Sequence, residues 1–463
     1  MPGLIQTISP IDGSVFVERP FAGADEIAAA VATAMSACQS WKHVPLQDRI
    51  EICRLFADRM LARKDELGEE ITRQMGRPIR YSANEIAGMA SRTTTMCDLA
   101  QDALAEIPLP EKEGFYRSLR REPLGVVLAI APWNYPYLTA VNTVIPALLA
   151  GNTVILKHSP QTPLCAERIH QGLQEAGLPE GVFQYLHLCD TDAESLVKNS
   201  AINFVAFTGS VATGLKIQEA AAHRVVGVGL ELGGKDPAYV REDADLAHAI
   251  ENVMDGVVFN SGQSCCAVER IYVHRNLYDA FVAGAVELAR TYILGDPLSS
   301  ETTLGPMVNT RSATFVRSQI QDALNQGARS LIAEDAFPGS AVRTPYLAPQ
   351  ILVDVNHDMR IMTEESFGPV VGIMPVESDE EAIRLMNDSE FGLTASIWTK
   401  DEESALEIAD QLEFGTVFMN RCDFLDPELA WVGVKNSGRG CTLSQLGFEQ
   451  LTRPKSYHFR RLP

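Results

Sequence analysis

Apolar and polar positions change rhythm along the chain, and the changes predict its elements. Near the start, Asp12-Gly13 stands between Ile11 and the Val15–Val17 run, a hairpin signal. From Asp25 to Trp41 the pattern turns helical and alanine-rich. Gln47 to Ile71 continues it, with Ile52, Leu55, Phe56 and Met60 at helical spacing. No heptads are sustained, so one or two packed helices are expected rather than a coiled coil.

The middle of the chain alternates instead. Gly125–Ala131 is a continuous apolar run of strand length, followed by a helical segment to Leu149 and a second run, Val154–Leu156. A helix over Pro163–Ala176 ends at Gly177-Leu178-Pro179. Val182–Leu186 and Phe204–Phe207 follow, separated by a short helix. Strands apolar on both faces, alternating with helices, predict a parallel sheet covered on both sides. Ligands of such sheets bind at the carboxyl ends of the strands. A second α/β stretch runs from Asp236 to about Lys435, with helical patterns near 244–258, 277–293 and 310–327 and strand-like runs at Ile271–Val273 and Val370–Met374.

Composition narrows the function classes. The 463 residues suffice for roughly two to four domains. Sixty acidic against 39 basic residues give a net charge of −21, which disfavours nucleic acid and anionic membrane surfaces as partners. Nine cysteines are too sparse for a disulfide framework, and His187 and Cys189 lack a second ligand pair, so no metal site is expected. The N-terminal MPGLIQTISPIDGS shows no signal-peptide pattern. The apolar stretch Val141–Leu156 is too interrupted to cross a membrane. A reduced, cytoplasmic protein is expected.

Several residues could carry chemistry, each weakly on its own. Cys265 sits in NSGQSCCA after Val257-Val258-Phe259, where a turn at Gly262 could present a thiolate; a buried, inert cysteine is the commoner case. Glu231 opens ELGGK at a strand end and could act as a general base, or be an ordinary solvated acid. Phe207-Thr-Gly-Ser210 opens a helix, a sound phosphate site that is not the GxGxxG fingerprint. In Pro132-Trp-Asn-Tyr-Pro136, Asn134 could donate to an oxyanion or merely cap a helix. Lys157 ends its strand as a cofactor contact or as a plain surface lysine.

Their joint occurrence changes the weight. PWNYP, LKHSPQTP, FTGS, ELGGK, GQSCCA and EESFGP, in this order and spacing, resemble the aldehyde dehydrogenase superfamily over essentially the whole chain. The resemblance implies an α/β fold with three parts. They are a Rossmann-like cofactor-binding domain (1–104 and 124–235), an α/β catalytic domain (236–440) and a small β bridging element (105–123 and 441–463). Through the last, family members form homodimers or homotetramers. It implies oxidation of a small-molecule aldehyde to the acid with NAD or NADP. Cys265 would be the nucleophile, Glu231 the base that hydrolyses the thioester, and Asn134 the oxyanion donor together with the Cys265 N–H. Cofactor contacts would come from Trp133, Lys157, Ser159, Gly209, Ser210, Leu232, Glu365 and Phe367. Glu231 favours hydrolysis over acyl transfer to coenzyme A.

Three departures qualify the resemblance. Pro160 stands where NAD-preferring members often carry Glu, which leaves NADP as open as NAD, with Lys157 and His158 close by in sequence. Ala430-Trp-Val-Gly-Val-Lys435-Asn-Ser-Gly438 replaces the family's PFGGxKxSG. Phe259 stands where some succinate-semialdehyde members carry Arg, which weighs against a dicarboxylic semialdehyde. The alternatives are a non-catalytic binding or structural protein that kept this fold and a cofactor-free cysteine hydrolase.

Overall fold

A computed structural model of the chain describes residues 3–462. Residues 1–2 and 463, the outer limits of the domain bounds above, lie outside the described residues. The hairpin around Asp12-Gly13 forms as expected: β1 (Leu4–Ile8) pairs antiparallel with β2 (Val15–Pro20). Four helices follow, α1 (Ala24–Trp41), α2 (Leu46–Ala62), α3 (Lys64–Met75) and α4 (Ile79–Ala103). Gly76, at φ 88°, closes α3 in the left-handed conformation that favours glycine. The long α4 was not anticipated. Its buried face (Ile86, Met89, Thr93, Met96, Cys97, Ala100) is interleaved with Ser91, Arg92, Thr94 and Thr95, which dilute the apolar period.

The middle of the chain forms β3 (Phe115–Pro123), β4 (Val126–Ala131), α5 (Pro136–Ala150), β5 (Thr153–His158), α6 (Pro163–Glu175), β6 (Phe183–Tyr185), α7 (Asp190–Lys198), β7 (Ile202–Thr208), α8 (Val211–Ala221) and β8 (Gly227–Glu231). The period of two decides the packing. Val127, Ala129 and Ala131 enter a core built from α2, α4, α5 and α6, while Val126, Leu128 and Ile130 enter one built from α1, α7 and α8. Both faces of the sheet are therefore covered, as the apolar runs predict.

The second half supplies β9 (Asp236–Val240), α9 (Leu246–Val258), β10 (Val268–His274), α10 (Arg275–Ala289), α11 (Thr310–Asn325), β11 (Arg329–Ser330), β12 (Gln350–Val353), α12 (Arg360–Thr363), β13 (Val370–Val376), α13 (Asp379–Asn387), β14 (Phe391–Gly392), β15 (Thr394–Trp398), α14 (Glu402–Ala409), β16 (Thr416–Met419), β17 (Val434–Lys435), β18 (Gly438–Arg439) and β19 (Thr452–Arg460). One sheet has the order β18-β8-β7-β4-β5-β6, parallel except for β18. The other has the order β11-β12-β13-β10-β9-β15-β16, parallel except for β11. A separate ribbon pairs β3 with β19 antiparallel, from Phe115 opposite Arg460 to Pro123 opposite Thr452.

This arrangement positions the site. The carboxyl ends of β4, β5, β7 and β8 carry Ala131, His158, Thr208 and Glu231. The chain then crosses through Leu232–Lys235 directly into the amino end of β9, and β10 and β13 also start beside the crossing. The carboxyl edge of the first sheet thus faces the amino edge of the second.

Candidate active site

A cavity of about 510 Å³ opens between these edges, lined by Cys265, Glu231, Leu232 and Thr208, with Tyr135 and Leu138 from the start of α5. The loop carrying Cys265 is held in an unusual shape. Asn260 and Ser261 have φ of 53° and 58°, and Gly262 follows at 69°. A β-carbon on Gly262 would lie 2.3 Å from the Gly368 carbonyl, so only glycine fits there. Buried side chains lock this turn. Asn260 Nδ2 donates to the carbonyls of Gln263 (3.1 Å) and Asn134 (3.2 Å), and Asn260 Oδ1 accepts from Arg77 Nε at 3.0 Å. Arg77 also pairs with Glu85 and donates to the Asn134 carbonyl.

Asn134 is buried and its Nδ2 donates to the Gln263 carbonyl at 3.3 Å, two residues from Cys265. One amide hydrogen remains for a reacting oxygen. Cys265 is partly exposed to the cavity, whereas Cys266 is buried, its thiol donating to Asp423 Oδ1 at 2.9 Å. The two adjacent cysteines line the same cavity and differ in burial and in the carboxylate that engages Cys266.

Glu231 lies at the cavity wall. Its Oε2 accepts from Thr208 Oγ1 at 3.1 Å, and its Oε1 accepts from Thr442 Oγ1. Burial raises its carboxyl above the ordinary value, while the two threonine hydroxyls and nearby Arg92 pull the other way. The next residues are fixed from both sides. A β-carbon on Gly234 would lie 2.6 Å from the Cys265 carbonyl, and one on Gly233 would lie 2.3 Å from the Glu365 carboxylate. Glu365 Oε1 accepts from the Gly234 N–H at 3.2 Å. Burial, then the neighbouring Glu269 charge, pushes Glu365 up to about 8.

Behind this crossing lies a buried ion pair. Lys235 Nζ reaches Glu269 Oε2 at 2.6 Å and donates to Ser366 Oγ at 3.1 Å. Glu269 accepts in turn from the backbone N–H groups of Ser366 and Phe367, both at 2.8 Å. It holds Phe367 at φ 53°. The Phe367 and Trp133 rings meet edge to face, with centroids 5.6 Å apart.

The remaining sequence-predicted residues line the carboxyl end of the first sheet. Ser210 caps α8, its Oγ accepting from the Thr213 N–H at 3.4 Å, and Gly209 N donates to the Glu231 carbonyl at 3.0 Å. Leu232 packs on Gly214 of α8, where a β-carbon would collide with it at 2.6 Å. Ser159 is buried and accepts from the Gln161 N–H at 3.2 Å. The Lys157 residue is 9% exposed, and among the described residues its side chain forms no hydrogen bond or ion pair. Burial lowers its affinity for the proton, and Asp190 and Cys189 at the start of α7 partly restore it. His158 corrects the sequence reading. It faces away, bonding the Pro136 carbonyl at 3.0 Å and Thr162 Oγ1 at 3.2 Å, and burial drops it to about 4. A neutral, fully engaged imidazole offers nothing to a phosphate.

The chain matches the aldehyde dehydrogenase family over residues 2–457. The chain belongs to the aldehyde dehydrogenase family. It is 35% identical over 447 residues to the succinate semialdehyde dehydrogenase Sad of Escherichia coli strain K12, named as using NAD(P)+, covering 96% of this chain and 95% of that one. It is also 35% identical to a succinate-semialdehyde dehydrogenase of Deinococcus radiodurans named for NADP+, covering 97% and 93%. Its fold superposes on the NADP complex of an NADP-dependent glyceraldehyde-3-phosphate dehydrogenase from Bacillus halodurans with a TM-score of 0.93, at 33% identity, covering 99% of this chain and 96% of that one. NAD(P)-dependent oxidation of an aldehyde to the acid is accordingly the activity of this aldehyde dehydrogenase.

Sequence reasoning missed the residues that fix this site: Arg77, Glu85, Asn260, Glu269, Thr208 and Thr442. Only Glu269 left a signal, as one of two charged residues inside the apolar run of β10. Thr208 ends β7, and the others come from helices and loops; each makes at least one contact that no local pattern encodes, as Arg77 does with Asn260 and Thr442 with Glu231.

Proposed function

We propose that Cys265 is the nucleophile, Asn134 the oxyanion donor and Glu231 the base in this oxidation. The carrying observation is that Gly233 and Gly234 bring Glu231, Glu365 and the Cys265 backbone to one crossing. The Cys265 thiolate attacks the aldehyde carbon, and the developing oxyanion takes the free Asn134 amide hydrogen and the Cys265 N–H. Loss of two electrons and a proton leaves a thioester on Cys265. Glu231 takes a proton from water, which releases the acid and restores the thiolate.

A nicotinamide cofactor fits the residues present. Lys157 offers an ammonium with no hydrogen-bond or ion-pair partner among the described residues, the α8 terminus offers N–H groups, and Trp133, Ser159, Gly209, Ser210 and Leu232 are assigned to the surface around them. Glu365, protonated near neutrality, can donate or accept at a ribose hydroxyl, and Phe367 borders the nicotinamide. When bound, the oxidised cofactor supplies the two-electron acceptor.

We assign cofactor binding to residues 1–104 and 124–235, catalysis to 236–440, and bridging to 105–123 with 441–463. The β3–β19 ribbon, standing apart from both sheets with Phe459 exposed, supports a homodimer or homotetramer. Nine free cysteines support a cytoplasmic setting, and among the described residues no helix is long and apolar enough to cross a membrane. The test is nicotinamide reduction by the purified protein, followed by absorbance, with aliphatic, aromatic and charged aldehydes and NAD and NADP side by side. Reduction that depends on an aldehyde and on Cys265 supports the assignment; reduction that persists in Cys265→Ser overturns it.

A further inference from the structure

The cavity beside Cys265 contains a charge that the reaction does not use. Arg92 projects from α4 into it and is only 7% exposed. Its Nη1 donates to the Leu138 carbonyl at 3.1 Å and to Asn142 Oδ1 at 2.7 Å. Both acceptors are neutral. Among the described residues, Nε and Nη2 have no hydrogen-bond partner, and no carboxylate forms an ion pair with this guanidinium. The two carboxylates whose charge acts most on Arg92 are committed elsewhere, Glu85 to Arg77 and Glu231 to Thr208 and Thr442.

Buried guanidinium groups are ordinarily paired, because an isolated charge out of water is costly. Here the pairing edge is left facing the substrate cavity. Nε and Nη2 lie on one side of the planar group, the edge that matches two carboxylate oxygens. The same cavity is lined by Leu138, Phe259 and Trp431, suited to a short hydrocarbon chain, and also by Asp255, Arg421 and Asp423, of which Arg421 is exposed. Phe259 leaves the loop before Cys265 without a cation, and α4 supplies one to the same cavity.

We propose that Arg92 binds a carboxylate at the far end of the substrate, so that the aldehyde oxidised is an ω-oxo carboxylate. This rests on the assignment of the cavity as the aldehyde site. Asn142 is the positioning residue that holds Nη1 and turns the free edge inward.

The test compares kcat/KM for succinic and glutaric semialdehydes with that for butanal and pentanal, in the native enzyme and in Arg92→Gln and Arg92→Lys. The native enzyme prefers the charged member of each pair. Arg92→Gln lowers that preference by roughly 10- to 100-fold, the scale of one charge-assisted pair, chiefly through KM. Arg92→Lys restores part of it as a point charge without the fork. Asn142→Asp, which gives Arg92 an internal carboxylate, lowers the same preference without removing the guanidinium. Equal loss for charged and neutral aldehydes in Arg92→Gln would overturn the proposal, since that pattern means Arg92 acts through Glu231. A native enzyme with no preference for the carboxylates, or with an equal preference for glyceraldehyde 3-phosphate, also overturns it. Absence of nicotinamide reduction with every aldehyde would instead contradict the function assigned to the cavity.

Discussion

The α-carbon of Gly234 packs against the carbonyl of Cys265 so closely that a β-carbon there would lie 2.6 Å from the oxygen. This contact ties the residues after the base to the backbone of the nucleophile. Gly234→Ala must move one or the other. A displacement of about 1 Å at a reacting group costs on the order of 100-fold. The expected result is a kcat reduced to that extent with the folded content retained, read by steady-state kinetics beside circular dichroism.

Cys265→Ser is expected to abolish aldehyde oxidation and to leave NAD(P) affinity within about twofold, since no proposed cofactor contact is removed. Cofactor fluorescence titration checks the second half. Near-normal turnover would show that another group attacks the aldehyde.

Glu231 gives the reaction a pH dependence with a defined sign. Burial raises its carboxyl, so the active base form is lost as pH falls through a value above the usual carboxylate range. The Thr442 hydroxyl opposes burial by donating to the carboxylate. Thr442→Val therefore raises the Glu231 pKa further and moves the acid limb of kcat to higher pH. About one pH unit is expected, equivalent to about 1.4 kcal/mol for one lost charge-assisted bond. A limb that stays in place or moves down contradicts the role of Glu231.

Glu269→Gln leaves Lys235 buried without its counter-charge. Removing one partner of a buried pair costs about 3–5 kcal/mol, and a fall in the urea midpoint is expected. The loop that holds Glu365 and Phe367 also loses its charged acceptor, so KM for NAD(P) rises. An unchanged midpoint would show that the pair is worth no more than its neutral replacement.

Lys157→Ala is expected to weaken NADP more than NAD, because the lone cation at the end of β5 has no help from neutral His158. Equal weakening of both cofactors, measured by titration, would place Lys157 on the ribose and away from any 2′-phosphate.

How much of this was legible in the sequence differs by element. The first sheet was, because strands buried on both faces read as unbroken apolar runs, as Val126–Ala131 does. The second sheet was only partly so. Its central strand β9, Asp236–Val240, begins with an acid and a proline, and the Asp236 carboxylate accepts from Thr394, which lies 158 positions further along the chain. The β3–β19 ribbon alternates poorly because its faces are half solvated, and only the family resemblance pointed to it. Within the site, Cys265, Glu231 and Asn134 stood out through their motifs. Arg77, Thr442 and Arg92 did not, since each acts across distances in sequence that no local pattern encodes.

The most direct test of the account is to mix Glu231→Gln with aldehyde and NAD(P), quench after one turnover, and map the modified peptide by mass spectrometry. The account predicts one acyl group per chain, on the peptide that contains Cys265 and on Cys265 rather than Cys266. Nicotinamide reduction with no acyl group retained, or with the acyl group on another residue, would contradict it.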